Sequence, residues 1–204
     1  MIASEHLADI ARLFAGLLPQ GAAVAARAIA GEPPALFSGE DLPRAVAKRR
    51  AERAFGRACA RAALGELGVA PAAIATGAGG TPVWPHGIAG SITHTDDHAA
   101  AAVVRGVTAL GIDLESLAHA ARVPDLLATV ALASERAHPA ALLFSAKESV
   151  YKCLYAGRFL DFHDVELAIE PGAFTVVRAT GYDASGVRGR WAIAGDHVAT
   201  VAIR

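Results

Sequence analysis

The spacing of apolar residues changes several times along the first half of the chain, and each change predicts a different element. Residues 1–19 carry apolar side chains at helical spacing and predict an amphipathic helix. Residues 21–31 alternate small apolar positions and predict a strand. Residues 75–87 contain too much glycine and proline for regular structure, so we expect a loop there.

A helix start signal precedes the second helical pattern. Ser38 to Asp41 has the form of a capping box, in which Ser38 caps the helix, Asp41 reaches back and Phe37 serves as a hydrophobic staple. The pattern predicts a long helix from there to about Leu67, where Gly68 ends it.

Strand and helix signals alternate in the rest of the chain. Strand-like segments occur at 88–95, 98–105 and 107–115, short helical patterns occupy 116–139, and a strong helix is predicted from Ala141 to Gly157. Four further strand patterns follow, at 165–170, 173–179, 190–195 and 197–204. Runs of strands, rather than strict alternation with helices, favour an α+β fold with antiparallel sheets. Each half would then contribute one long helix and about three strands.

Composition narrows the class of protein. Hydrophobic residues make up 53% of the 204 residues, and 19 basic residues nearly balance 20 acidic ones, which disfavours a nucleic-acid-binding domain. Cys59 and Cys153 stand outside any metal-ligand spacing and fit a reducing compartment. Glu5 and Asp9 lie where a signal peptide carries basic residues, and no apolar stretch is long enough to span a bilayer. We therefore expect a soluble cytoplasmic protein with no membrane partner.

Two carboxylates stand two residues apart at the end of a predicted strand. Asp113 and Glu115, in GIDLE, share one strand face because side chains alternate with a period of two. Two like charges beside buried apolar residues are costly unless a cation or a proton compensates. A hard cation such as Mg²⁺ suits such ligands. The alternative is a pair of ordinary acids where the strand reaches solvent.

The helical segment FSAKESVYK offers a third carboxylate. Glu148 and Lys152 are four residues apart and share a helix face, as in an ordinary surface ion pair. Lys147 lies beside Glu148 but points about 100° around the helix. If Glu148 joins Asp113 and Glu115, a three-carboxylate site is complete.

Residues suited to phosphate binding lie on the second helix and on one strand. Arg49, Arg53 and Arg57 form a helical stripe, and guanidinium groups bind phosphate oxygens well. Thr93 and His94 close the strand GSITHT and offer a hydroxyl and an imidazole. The alternatives are a solvated helix face and a structural histidine.

Taken together and in this order, the motifs resemble one family. The chain is similar to the Sfp-type 4′-phosphopantetheinyl transferases, in the subgroup that includes enterobactin synthase component D, through KRRAERAFGRACARAALGELG, PVWPHGIAGSITHT, GIDLE, FSAKESVYK and GRWAIAGDHVATVAI. The resemblance implies a pseudo-dimer of two similar α+β lobes, here 1–105 for the nucleotide end of coenzyme A and 106–204 for the metal and the carrier. It also implies an active site between the lobes and a monomer.

The resemblance implies a role for each candidate residue. Three carboxylates hold Mg²⁺ in the family, with Mn²⁺ as an alternative, and they match Asp113, Glu115 and Glu148. Two lysines on the phosphate side match Lys147 and Lys152. Residues that bind the nucleotide end of coenzyme A match Arg49, Arg57, Thr93 and His94, to which helix geometry adds Arg53. Gly79-Gly80-Thr81 stands where many relatives carry a basic residue.

The implied reaction transfers 4′-phosphopantetheine from coenzyme A to a serine of an apo acyl, peptidyl or aryl carrier protein, releasing 3′,5′-adenosine diphosphate. Glu148 and Lys152 are the catalytic candidates, with either Glu148 or a metal-bound water as the base. The subgroup favours siderophore or other secondary-metabolite pathways. Two alternatives stay open: a non-catalytic coenzyme A- or nucleotide-binding module of the same fold, and an unrelated Mg²⁺-dependent phosphoester hydrolase.

Overall fold

The computed structural model describes residues 2–154 and 161–204. The chain divides into two compact units, residues 1–107 and 108–204. The boundary expected from the sequence lies at residues 105 and 106.

The first unit is a three-stranded antiparallel sheet with two helices. Its elements are α1 (Ile2–Leu17), β1 (Ala23–Ala28), α2 (Ala47–Glu66), β2 (Ile88–His94) and β3 (His98–Arg105). The strand order is β1-β3-β2, so the central strand is the alanine-rich β3. A short 3-10 helix interrupts the predicted loop at Ala78–Gly80.

Helix α2 packs on the face of this sheet that carries Ala99, Ala101 and Val103. Phe55 and Cys59 of the helix are buried against these small side chains. Small residues on the strand let a helix lie close to it, so burial of apolar surface holds the arginine-bearing helix in place.

The start of α2 differs from the prediction. The helix begins at Ala47, and its N-cap residue Val46 makes no side-chain capping bond, so the predicted capping box is wrong. A helix that started at Ser38 would place Pro43 in its interior, where proline removes a hydrogen bond and clashes with the preceding turn. Glu40, rather than Asp41, reaches back and accepts a 2.9 Å hydrogen bond from the Phe37 amide.

The second unit is a five-stranded antiparallel sheet covered by one long helix. Its elements are β4 (Leu110–Ser116), α3 (Leu117–Ala120), α4 (Leu126–Val130), α5 (Ala140–Leu154), β5 (Val165–Glu170), β6 (Ala173–Ala179), β7 (Arg188–Ala194) and β8 (His197–Ile203). The strand order is β4-β8-β7-β6-β5. Short 3-10 helices lie at Ala133–Glu135 and Phe162–Asp164. The helix end predicted at Gly157 lies outside the described residues.

The predicted fold class is confirmed: each unit is an antiparallel sheet packed with a long helix. The second sheet has five strands rather than three, because β4 joins the four strands of the tail. No helix within the described ranges combines the length and the hydropathy needed to cross a bilayer.

Candidate active site

The two strand carboxylates lie on the face of the five-stranded sheet that α5 covers. Asp113 pairs in register with Thr200 of β8, and Glu115 with Val198. Directly opposed residues of antiparallel strands share a face. The Thr200 hydroxyl donates a 2.8 Å hydrogen bond to the Ser145 carbonyl of α5, which marks this face as the helix side. Asp113 is only 4% exposed, so its charge is held against the helix.

Helix α5 brings Lys152 and Glu148 to the same place. Lys152 Nζ donates to Oδ1 of Asp113 at 2.6 Å and to the Ile112 carbonyl at 3.1 Å. Burial raises the pKa of Glu148, nearby Lys152 opposes that shift, and the Asp113 charge adds to it. Asp113, Glu148 and Lys152 therefore act on one another across the strand and the helix.

Gly111 explains how closely α5 approaches β4. A Cβ atom at this position would overlap the Ser149 carbonyl oxygen and lie 2.7 Å from the Cys153 amide nitrogen. Both are backbone atoms of the helix, which cannot move aside as a flexible side chain can. The glycine of GIDLE thus allows the contact that carries Glu148 and Lys152 to the strand.

The donor set of this cluster fits a hard divalent cation. Asp113 and Glu148 in the cluster, and Glu115 on the same face of β4 as Asp113, offer carboxylate oxygens, which are the ligands that Mg²⁺ prefers. Repulsion between neighbouring carboxylates contributes to the raised pKa of Glu148. A cation between the carboxylates would replace that repulsion by attraction, so the residues present suit the ion that the resemblance implies.

Lys147 points into the interior of the unit. Its side chain is 1% exposed, and Nζ donates to Oε2 of Glu135 at 2.6 Å, to the Val130 carbonyl at 2.7 Å and to the Phe162 carbonyl at 3.0 Å. A lysine ammonium has three protons, and these three bonds use all of them. No proton is left for a phosphate, so the predicted contact of Lys147 with coenzyme A is wrong.

Two arginines of α2 are engaged with neighbouring groups of the first unit. Arg49 donates from Nη1 to Nε2 of His94 at 2.7 Å. Arg53 donates to the Glu40 carbonyl and to the Thr76 hydroxyl. The structure thus joins Arg49 with His94, whereas Arg53 holds two loop segments against the helix.

Arg57 has a different environment. The residue is 2% exposed, and neither Nη1 nor Nη2 finds a hydrogen-bond partner in the part of the chain that the structure describes. Burial lowers the pKa of Arg57 to about 10, and the nearby charge of Arg53 adds to the effect. A buried cation without a partner is costly. An anion that reaches this guanidinium would recover that cost.

Thr93 and His94 lie on opposite faces of β2. His94 pairs in register with Ala99, on the face that α2 covers, whereas Thr93 pairs with Ala100 on the other face. Thr93 is 2% exposed. The structure therefore brings His94, and not Thr93, to the arginines of α2.

Known protein families match most of each unit. Residues 38–104 match the 4′-phosphopantetheinyl transferase N-terminal domain, and residues 109–202 match the 4′-phosphopantetheinyl transferase superfamily. The chain belongs to the 4′-phosphopantetheinyl transferase superfamily. The arginine helix and GSITHT lie in the first matched segment, and GIDLE and FSAKESVYK lie in the second.

Several curated transferases are similar to the chain. The 4′-phosphopantetheinyl transferase Svp of Streptomyces mobaraensis is 42% identical over 187 residues, which cover 79% of this chain and 74% of the relative. The 4′-phosphopantetheinyl transferase PptT of Mycobacterium tuberculosis is 38% identical over 178 residues, which cover 74% of this chain and 78% of the relative. Enterobactin synthase component D of Salmonella typhi is 37% identical over 115 residues, which cover 52% of this chain and 48% of the relative.

Family membership confirms the resemblance and the expected activity. The chain is a transferase that moves 4′-phosphopantetheine from coenzyme A to carrier proteins. A coenzyme A-binding module without activity and an unrelated hydrolase are accordingly disfavoured.

Two buried carboxylates, Glu40 and Glu135, which the sequence analysis did not identify, bind neighbouring segments of the transferase through hydrogen bonds. Glu40 accepts hydrogen bonds from the Phe37 and Ile74 amides and from Nη1 of Arg61 at 2.7 Å. Glu135 pairs with Lys147. Pro43 was an available signal that the helix starts after Glu40, whereas no sequence pattern distinguishes Glu135 from a surface acid.

Proposed function

We propose that the transferase holds Mg²⁺ with Asp113, Glu115 and Glu148 and modifies a serine of its carrier protein. The proposal is carried by the convergence of Asp113, Glu148 and Lys152, which depends on the close approach of α5 to β4 at Gly111. When bound, the ion supplies Lewis-acid stabilisation of the negative charge on the coenzyme A pyrophosphate.

The transfer forms one bond and breaks one bond. The serine hydroxyl oxygen of the carrier attacks the β-phosphorus of coenzyme A, and the bond from that phosphorus to the bridging oxygen breaks. The bridging electron pair leaves with 3′,5′-adenosine diphosphate. Glu148 takes the serine proton as the general base. Lys152 donates to the oxygens on which negative charge grows.

We assign the nucleotide end of coenzyme A to residues of the first unit. Arg49 and His94 are hydrogen-bonded side by side on the first unit, with Arg49 donating to His94. The Arg57 guanidinium is buried without a hydrogen-bond partner among the described residues, so a phosphate that binds it offsets its desolvation cost. We do not assign Arg53 or Thr93 a direct contact with coenzyme A. Arg53 already donates to two protein acceptors, and Thr93 lies on the face of β2 that is turned away from α2.

For the carrier we propose a protein of siderophore or other secondary-metabolite assembly. One relative is named for enterobactin synthesis, and the GSITHT subgroup motif points the same way. We propose that the carrier docks on the exposed part of residues 117–133, a segment that follows the strand of GIDLE and is rich in Leu, Val and Ala. Leu126 and Leu127 pack into buried clusters, whereas Arg122 and Val123 are exposed and suit an acidic, partly apolar helix.

We further propose that one chain acts alone in the cytoplasm. Both sets of site residues belong to a single chain, so no second subunit is needed to supply either set. Cys59 and Cys153 are free and buried, which fits a reducing compartment. The near balance of charge gives no reason to propose a nucleic-acid partner.

The test incubates the protein with coenzyme A, Mg²⁺ and several apo carriers, followed by intact mass spectrometry. A mass gain of about 340 Da, the size of the transferred arm, that disappears with chelator is the expected result. Free 3′,5′-adenosine diphosphate without carrier modification would indicate hydrolysis instead. A Ser→Ala carrier serves as the matched control and should gain no mass.

A further inference from the structure

Lys147 and Glu135 form the most deeply buried ion pair among the described residues. Their side chains are 1% and 0% exposed, and Nζ lies 2.6 Å from Oε2. The Lys147 ammonium also donates to the carbonyls of Val130, at the end of α4, and Phe162. One lysine of α5 is thereby tied to three separate segments of the second unit.

Glu135 extends the same network in the other direction. Its Oε2 accepts a 2.8 Å hydrogen bond from the Leu132 amide, and its Oε1 accepts one of 2.8 Å from the Leu167 amide of β5. Both carboxylate oxygens are therefore satisfied inside the protein. The pair links α5 to the segment that precedes it and to the far edge of the sheet.

This anchor constrains the rotation of α5 about its axis. Lys147 and Glu148 are adjacent, so their side chains leave the helix about 100° apart. Fixing Lys147 in the interior fixes the direction of Glu148. Ser145, whose carbonyl accepts the Thr200 hydroxyl at 2.8 Å, fixes the helix against β8 from another side. Glu148 is thus directed toward Asp113 by contacts that involve neither residue.

We propose that Glu135 and Lys147 are a positioning pair that sets the rotation of α5 and so places Glu148 in the metal site. The inference rests on the proposed function, because only that function makes Glu148 a ligand of the metal ion. It replaces the phosphate contact expected for Lys147 by a role exerted through its neighbour.

A buried ion pair adds little to the stability of a fold. Burying an ion pair costs desolvation, and well-packed apolar residues often stabilise a protein as much or more. A pair with five hydrogen bonds of defined direction instead specifies one orientation. Groups behind metal ligands commonly change metal affinity or activity by about 10–100-fold when they are removed.

The experiment uses the full chain with the substitutions Glu135→Gln, Lys147→Met and both together. Three properties are measured: Mn²⁺ binding by calorimetry, 3′,5′-adenosine diphosphate binding by calorimetry, and single-turnover transfer to an apo carrier by mass. Val187→Ala is the matched control, because Val187 is buried in the core of the same unit and takes no part in this network. Thermal unfolding of every variant reports the loss of stability.

We expect each single substitution to weaken Mn²⁺ binding and slow transfer by the same factor of about 10–100, with nucleotide affinity unchanged. The double variant should be no worse than either single one, and Val187→Ala should lose stability but keep its Mn²⁺ affinity. Glu135→Asp keeps the charge and shortens the side chain by one methylene. It should give an intermediate loss even if the other variants fail to fold.

Two results would overturn the proposal. Weaker nucleotide binding in Lys147→Met but not in Glu135→Gln would mean that Lys147 contacts a phosphate. Wild-type Mn²⁺ affinity in the folded variants, including Glu135→Asp, would mean that the pair is structural only. Failure of the wild-type protein itself to bind Mn²⁺ or to modify a carrier would instead refute the proposed function.

Discussion

Lys152 Nζ lies 2.6 Å from Oδ1 of Asp113 and joins the last turn of α5 to the middle of β4. The Asp113 side chain is 6% exposed and that of Lys152 26%, so the ammonium group compensates a buried charge from a partly open position. A divalent cation at the same carboxylate would compete with this ammonium group.

Substituting Lys152 by Met should change metal affinity and the rate of transfer in opposite directions. Removing the competing ammonium should tighten Mn²⁺ binding to the free enzyme several-fold, whereas transfer should fall by about 10² because charge stabilisation in the transition state is lost. Calorimetry and single-turnover mass measurements report the two effects. Lys48→Met, which removes an exposed lysine paired with Asp96, is the control. Unchanged transfer in Lys152→Met would exclude Lys152 from the chemistry.

Arg57→Met should make the free protein more stable and coenzyme A binding weaker. The guanidinium is buried without a hydrogen-bond partner in the described residues, so removing its charge should stabilise the free fold by about 1 kcal/mol or more. Each charge-assisted bond lost to phosphate should cost about 1.5–3 kcal/mol of binding free energy. Urea unfolding and calorimetry with coenzyme A measure the two quantities.

The matched control for Arg57 is Arg50→Met, because Arg50 lies on the exposed part of α2 with Asp41 at 3.5 Å. It should change neither stability nor affinity greatly. Dephospho-coenzyme A should lose less affinity than coenzyme A on Arg57→Met if the 3′-phosphate is the contact. Equal coenzyme A affinity in wild type and Arg57→Met would remove Arg57 from the site.

Gly111→Ala should displace α5. The added Cβ meets the backbone of Ser149 and Cys153, and overpacking of this kind costs about 1–3 kcal/mol even where side chains can adapt. We expect a lower melting temperature together with weaker Mn²⁺ binding. Gly65→Ala, where a Cβ has open space, is the control and should be tolerated. A Gly111→Ala protein with wild-type Mn²⁺ affinity would show that the close approach is not required.

Glu40→Gln should lower stability at neutral pH and lose that effect in acid. Burial alone raises the Glu40 pKa, but hydrogen bonds from the Ile74 and Phe37 amides and from Arg61 outweigh it and hold the pKa below its ordinary value. The stability that the carboxylate supplies is therefore complete above its unfolded pKa of about 4.3 and is lost as pH falls through the lower folded value.

Urea unfolding at pH 7 and at several values below about pH 4 measures this dependence. The difference between wild type and Glu40→Gln should be about 1.5–3 kcal/mol at pH 7 and should shrink on acidification. Asp41→Asn, at a half-exposed neighbour, should change little at either pH. A difference that is constant with pH would contradict an ionised Glu40 in the folded state.

The sequence predicted the sheets well because their patterns are local. Residues 165–170 and 173–179 are strands with the predicted bounds, since alternation and flanking turn residues are visible in single segments. The start of α2 was wrong because a plausible capping box at Ser38 outweighed the proline that follows it. The fate of Lys147 could not be predicted, because its burial depends on Glu135, which lies twelve residues away on a different element.

Glu148→Gln is the most direct test of the account, because it keeps the shape of the side chain and removes both its charge and its function as a base. Arg49, His94 and Arg57 remain, so calorimetry should show coenzyme A still bound. Carrier modification, followed as a mass gain of about 340 Da, should fall by about 10² or more. Transfer by Glu148→Gln at the wild-type rate would contradict the three-carboxylate site. Glu148 would then be only an ion-pair partner of Lys152, with no part in catalysis.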